Sequence, residues 1–158
     1  MLATCAASVL SSAEVGRTTM TIREPLELAA EANPDNAREL RVRFQQWLRR
    51  LGAPTDLVDD LTLAVYEALA NVVDHAYHPG HPHPVMYLLA RLDHDQLLIT
   101  ITDHGCWRIP SEPGYRGRGL ALMRCLTTEV DLHSTADGTT VQLRAALHHN
   151  PKEPTTAP

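Results

Sequence analysis

The order of hydrophobic patterns along this chain predicts an α+β protein. The expected architecture is a two-layer α/β sandwich, a mostly antiparallel sheet covered by helices on one face. Three observations carry that expectation. The apolar period switches between strand-like and helix-like in the order strand, two helices, two strands, loop, helix, two strands. Two pairs of strands are separated only by tight polar turns, at Asp93-His94-Asp95-Gln96 and across Asp137-Gly138, so each pair runs antiparallel. The helices are grouped before a mostly antiparallel sheet, which suits a two-layer α/β sandwich.

Leu26 to Ala30 reads as a short first strand. Asn33-Pro34 follows as an N-cap with proline at the first helical position. Ala37, Leu40, Phe44, Trp47, Leu48 and Leu51 recur on one helical face, and Gly52 with Pro54 ends that helix. A second helix begins near Thr55 or Asp56 and buries Leu57, Leu61, Val65, Ala68 and Val72. It stops around Tyr77, before the loop His78-Pro79-Gly80-His81-Pro82-His83-Pro84. Val85–Leu92 and Leu97–Thr102 alternate as strands. A loop bearing glycines and arginines runs from Asp103 to Gly119, Leu120 to Thr127 reads as a helix, and Val130–Ser134 pairs with Thr139–Leu147.

The 158 residues suffice for one domain with a core, expected over 25–147. Residues 1–24 read as a disordered N-terminal extension, with Met20 a conceivable start, and 148–158, with three prolines, as a disordered tail. Apolar residues make up 44% of the chain but aromatic ones only 4%, so Leu, Val and Ala must build the core. A net charge of −5 argues against a protein that coats nucleic acid or an anionic membrane. No apolar run approaches the roughly 20 residues of a membrane helix. Cys5, Cys106 and Cys125 show no paired spacing, so a cytoplasmic location is expected, with Cys106 and Cys125 as packing residues. The nine histidines include a cluster of His75, His78, His81 and His83, but without Cys or carboxylates at zinc-like spacing.

Three segments carry chemistry. Glu67, Asn71 and His75 lie at i, i+4 and i+8 and so share a helix face, beside Asp74. That stripe is either an ordinary solvated face or a place to hold a metal-bound polyphosphate next to a general base. Asp103 continues the apolar face of Leu97, Ile99 and Ile101, so it should be partly buried and in need of a donor. The donor is either the following turn or a ligand amine such as that of adenine, with Gly105 allowing close approach to a flat ring. Arg116-Gly117-Arg118-Gly119 leads into a helix. It is either a flexible connector or, with Arg108 and Arg124 near it in sequence, a phosphate cradle.

Together these motifs resemble the GHKL-type (Bergerat) ATPase fold shared by histidine kinases and gyrase. More closely, they resemble the bacterial anti-sigma factor serine-protein kinases. The resemblance runs from Leu26 to Leu147 and rests on Glu-x-x-x-Asn-x-x-x-His-Ala-Tyr at 67–77, Asp-x-Gly at 103–105, Arg-Gly-x-Gly-Leu at 116–120 and Gly-Thr-Thr-Val at 138–141. It implies ATP and Mg²⁺ as cofactors, Asn71 as the Mg²⁺ ligand and Glu67 as the base that activates an acceptor serine. It also implies Asp103 and Gly105 at the adenine, Gly117 and Gly119 around the phosphates, Thr140 near the adenine, and His75 and Arg116 as phosphate contacts. The implied partners are a sigma factor, held inactive, and a serine-bearing anti-anti-sigma protein, with a homodimer as the assembly and no direct role for nucleic acid or membrane.

Two departures bear on activity. Trp107 stands where many relatives have a second glycine, and only eleven residues separate Gly105 from Gly117, so the lid over the nucleotide is short. Without a dimerising helical hairpin and phosphoacceptor histidine, a sensor histidine kinase is not expected. Two further readings stay open: a nucleotide-responsive binding module without useful kinase activity, and a regulatory domain of the kind fused to a phosphatase or sensor.

Overall fold

The computed structural model describes residues 24–106 and 118–148. Strand β1 (Leu26–Glu31) leads into helix α1 (Pro34–Arg50) and helix α2 (Thr55–His75). Strands β2 (Val85–Asp93) and β3 (Gln96–Asp103), helix α3 (Arg118–Leu126), and strands β4 (Glu129–Thr135) and β5 (Gly138–Ala146) follow. The five strands form one sheet in the order β1-β2-β3-β5-β4, and every neighbouring pair is antiparallel. The helices pack on one face of the sheet.

Helix α1 starts where its cap dictates. Asn33 is extended, its side-chain oxygen accepts the Asn36 N–H at 2.9 Å, and Pro34 opens the first turn. Asp35 at one end and Arg49 and Arg50 at the other complement the helix dipole. Phe44 and Leu48 are wholly buried, worth roughly 2–3 kcal/mol each in area removed from water. Trp47 is buried too, and its indole N–H donates to the Glu24 carbonyl at 3.0 Å. Gly52, at φ +78°, turns the chain out of the helix. The buried face of α2 runs Leu57, Val58, Leu61, Ala64, Val65, Ala68, Leu69 and Val72. It meets the inward residues of β3 and β5: Leu97, Ile99, Ile101, Val141, Leu143 and Ala145.

Several boundaries differ from the expectation. The β2–β3 turn is only His94-Asp95, with His94 at φ +56°, because Asp93 and Gln96 still pair in the ladder. Polar side chains at the exposed end of a strand do not interrupt backbone pairing. The last hairpin turns at Ala136-Asp137, and Gly138 is the first residue of β5, opposite Thr135. Helix α2 ends at His75 rather than Tyr77, and α3 begins at Arg118 rather than Leu120, so Gly119 lies in a helical first turn and not in a loop. At the domain edges, Glu24 accepts the Trp47 bond and the His148 ring contacts Asp95 at 2.6 Å, so both residues join the fold. The expected extensions otherwise fall on 1–23 and 149–158, outside the described residues. No helix among the described residues is long and apolar enough to cross a membrane.

Candidate functional site

The C-terminal half of α2 carries Glu67 and Asn71 one turn apart, both half-buried at the margin of the apolar face. A Cβ added to Gly119 would stand 3.3 Å from Glu67 Oε2 and 3.5 Å from Asn71 Nδ2. The first turn of α3 therefore lies directly against the carboxylate–amide pair, and the hydrogen at Gly119 leaves a small space beside it. Backbone N–H groups in a first helical turn have no partner within the helix, so they are available to an anion. The fold thus joins the Glu67–Asn71 pair to Gly119, the last glycine of the glycine motif. His75 is the last residue of α2 and is exposed. Arg116 and Gly117, like Arg108 and Trp107, lie outside the described residues.

Asp103 ends β3 with 1% of its surface exposed, on the helix-covered side of the sheet. The Gly105 N–H donates to Asp103 Oδ1 at 2.9 Å, and the Thr139 backbone N–H donates as well. Burial pushes this carboxyl above the ordinary carboxylate range, and the two backbone donors and nearby His104 offset it only in part. A buried carboxylate with two backbone donors still has lone pairs to offer. A ligand amine is the kind of group that would satisfy them.

The turn after Asp103 is gripped from several sides. A Cβ at Gly105 would collide with the Ala76 carbonyl, so this glycine is needed for close packing on the end of α2. Gly138, at φ +140°, lies so close to Asp103 that a Cβ would collide with its carbonyl oxygen. The Tyr77 hydroxyl donates to the Val85 carbonyl at 2.6 Å and accepts the His104 N–H at 3.0 Å.

Thr140 is not brought to this cluster. It lies on the open face of the sheet, where its hydroxyl is 3.4 Å from that of Thr102. The residue opposite Asp103 is Thr139, which is 2% exposed and shares the inward face. The period-two argument that placed Asp103, extended to β5 through Val141 and Leu143, selects Thr139. Sequence reasoning also assigned no role to Ala76, Tyr77 or Gly138 in shaping the turn.

Asn71 and Glu67 suit a divalent cation shared with a ligand. Among the described residues no group of three or more His, Cys, Asp or Glu side chains could hold a metal alone. A small hard cation here would therefore draw most of its oxygens from a bound polyphosphate and from water, the usual habit of Mg²⁺. Two hollows on the described surface, of about 100 Å³ beside Arg91 and Arg144 and about 340 Å³ beside Leu132 and His133, lie on the open sheet face. Neither contains the carboxylate–amide pair or Asp103.

Comparison with known proteins agrees with this fold. Residues 30–145 match the histidine kinase-like ATPase domain. The chain is 35% identical over 82 residues to the serine-protein kinase RsbW of Halalkalibacterium halodurans, covering 52% of this chain and 49% of that protein. It is 25% identical over 135 residues to the anti-sigma F factor of Anoxybacillus flavithermus, covering 77% and 92% respectively. The match thus spans about half the length of the first of these relatives. Among solved structures, the RsbU and RsbW domains of Rv1364c from Mycobacterium tuberculosis align with a TM-score of 0.65 at 26% identity, over 78% of this chain and 32% of that one.

Proposed function

This chain belongs to the histidine kinase-like ATPase domain family, and from that membership we propose that it is an ATP- and Mg²⁺-dependent serine-protein kinase acting as an anti-sigma factor. The observation that carries the reading is the seating of Gly119 on Glu67 and Asn71. It puts a candidate base, a candidate metal ligand and a helix N-terminus within one small volume.

In this reading Asp103 accepts the adenine amine, Thr139 stands beside it in place of Thr140, and the first turn of α3 offers N–H groups to the phosphates. Asn71 would hold Mg²⁺ together with phosphate oxygens. Bound Mg²⁺ would neutralise charge on the polyphosphate. Glu67 takes the proton of an incoming serine hydroxyl while the seryl oxygen bonds to the γ-phosphorus and the bond to ADP breaks. Positioning and electrostatics supply most of the rate in such transfers, so no further nucleophile on the protein is needed. His75, Arg116 and Gly117 remain proposed phosphate contacts on the strength of the motif alone.

The names of the relatives, serine-protein kinase RsbW and anti-sigma F factor, support the choice of partners. We assign this chain a sigma factor as the bound target and a serine-bearing antagonist as the phosphate acceptor, both cytoplasmic, with a homodimer as the working assembly.

The test is ATP binding with and without Mg²⁺, together with transfer to candidate antagonists. Asn71→Ala should abolish the Mg²⁺-dependent part of binding, and Asp103→Ala should abolish ATP binding. Glu67→Ala should bind ATP within about threefold of wild type yet lose transfer by roughly 10²–10⁴-fold. Binding without transfer in the wild type would replace the kinase with a nucleotide-responsive binding module. No nucleotide binding at all would overturn the site assignment.

A further inference from the structure

We propose that the Tyr77 hydroxyl is a clasp that sets the position of the Asp103 turn relative to helix α2, which makes Tyr77 a positioning residue for base recognition; this rests on the nucleotide-binding reading above.

The ladder between β2 and β3 ends at the pair Met86↔Asp103. One step further, the facing residues would be Val85 and His104. In place of a direct rung, the Tyr77 oxygen sits between their backbone groups, 2.6 Å from the Val85 carbonyl and 3.0 Å from the His104 nitrogen. A carbonyl only accepts and an amide only donates, so the single phenolic proton must go to Val85, and the oxygen must accept from His104. Both roles of the hydroxyl are used and its orientation is set. The next amide, Gly105, donates to the Asp103 carboxylate. Two successive N–H groups thus tie the turn to a side chain each, one to Tyr77 and one to the carboxylate that reads the base.

Tyr77 follows the end of α2 by two residues, and Ala76 between them packs its carbonyl against Gly105. Asn71 lies six residues before Tyr77, about 9 Å if that span kept the helical rise. The helix carrying the phosphate-facing pair is therefore linked by its own C-terminal end to the carboxylate facing the base. Without the hydroxyl, the His104 N–H and the Val85 carbonyl lose this partner, while the turn keeps the Gly105 and Thr139 amides on Asp103, the close packing at Gly105 and Gly138, the Cys106 thiol on the Ala136 carbonyl and the Tyr87–His104 ring contact.

The test is Tyr77→Phe, which keeps the ring and removes the clasp. In ligand-free protein, amide hydrogen exchange at His104 and Gly105 should quicken about tenfold or more, with Ile99 and Ile101 in the preceding strand β3 unchanged, which also reports that the sheet stays folded. The preference for ATP over GTP should fall about tenfold, while Mg²⁺-dependent binding of inorganic tripolyphosphate stays within twofold of wild type. A purely structural tyrosine would weaken both ligands together, and that result would overturn the proposal. Unchanged exchange at His104, or an unchanged ATP preference, would overturn it as well. If wild type itself showed no preference for ATP, the nucleotide reading would fall and the positioning role with it. The exchange arm would then distinguish that failure from the absence of a clasp.

Discussion

Asp103 is the side chain on which recognition and stability pull against each other. Its carboxyl is held above the ordinary range because burial penalises the charged form more than the Gly105 and Thr139 amides and His104 relieve it. Below the unfolded value both states are protonated and the group contributes no pH dependence. Between that value and the raised folded value the native state binds more protons, so stability falls as pH rises. Above both, the loss is complete. Asp103→Asn keeps the shape and removes the charge. Urea denaturation from pH 3 upward should show that segment of the pH slope flattened, with the variant at least as stable as wild type at pH 7. Its ATP affinity should drop by roughly 1–3 kcal/mol, because an amide nitrogen would face the ligand amine where an acceptor is needed. A variant that lost stability at neutral pH would show instead that the ionised carboxylate holds the turn together. The burial behind this prediction was readable from the alternation Leu97, Ile99, Ile101. A donor in the following turn was one of the two readings left open, and Gly105 supplies it; the Thr139 donor was not legible, since it comes from a strand far away in sequence.

At the scale of elements, α2 and α3 meet through a residue chosen for its lack of a side chain. Gly119→Ala should leave the fold intact or stabilise it by about 0.5 kcal/mol, because alanine narrows the unfolded ensemble. Its methyl would press on the Glu67 carboxylate at 3.3 Å, the end of a flexible side chain that must then shift. Mg²⁺-dependent nucleotide binding and transfer should therefore fall while thermal stability does not, a separation that calorimetry and a transfer assay can measure. Gly138→Ala should behave in the opposite way. It faces both a φ of +140° and a collision with the Asp103 backbone, so a loss of about 2–4 kcal/mol is expected in denaturant. The caps and stripes of α1 and α2 were legible because they depend on neighbours in sequence. The start of α3 was missed by two residues because its glycines were read as loop. What tolerates Gly119 in a helical turn is the packing against α2, and no local pattern records that contact.

For the whole molecule, the decisive fact is that β5 enters between β3 and β4. The hairpin of β4 with β5 was visible from its turn, and so was that of β2 with β3. The pairing of β3 with β5 depends on chain segments far apart, yet it is what sets Thr139 opposite Asp103 and turns Thr140 to the other face. The one-sided cover of helices then divides the surface. One side holds Asp103, the Gly105 turn, the end of α2 and the start of α3. The other exposes Tyr87, Leu89 and Leu132. A ligand bound at the proposed site should act on the first side alone. Mg²⁺-ATP at one hundred times its dissociation constant stabilises the native state by about 2.7 kcal/mol through mass action, a rise of roughly 10 °C in the unfolding midpoint for a domain of this size. Hydrogen exchange with the nucleotide present should slow at Asp103–Gly105 and through the first turn of α3. The outer-facing residues of β2 and β4 should change only as far as global stability changes. Protection centred on Leu89, Arg91 and Arg144 would move the ligand to the hollow on the open face, and the assignment of Glu67, Asn71 and Asp103 would fall with it.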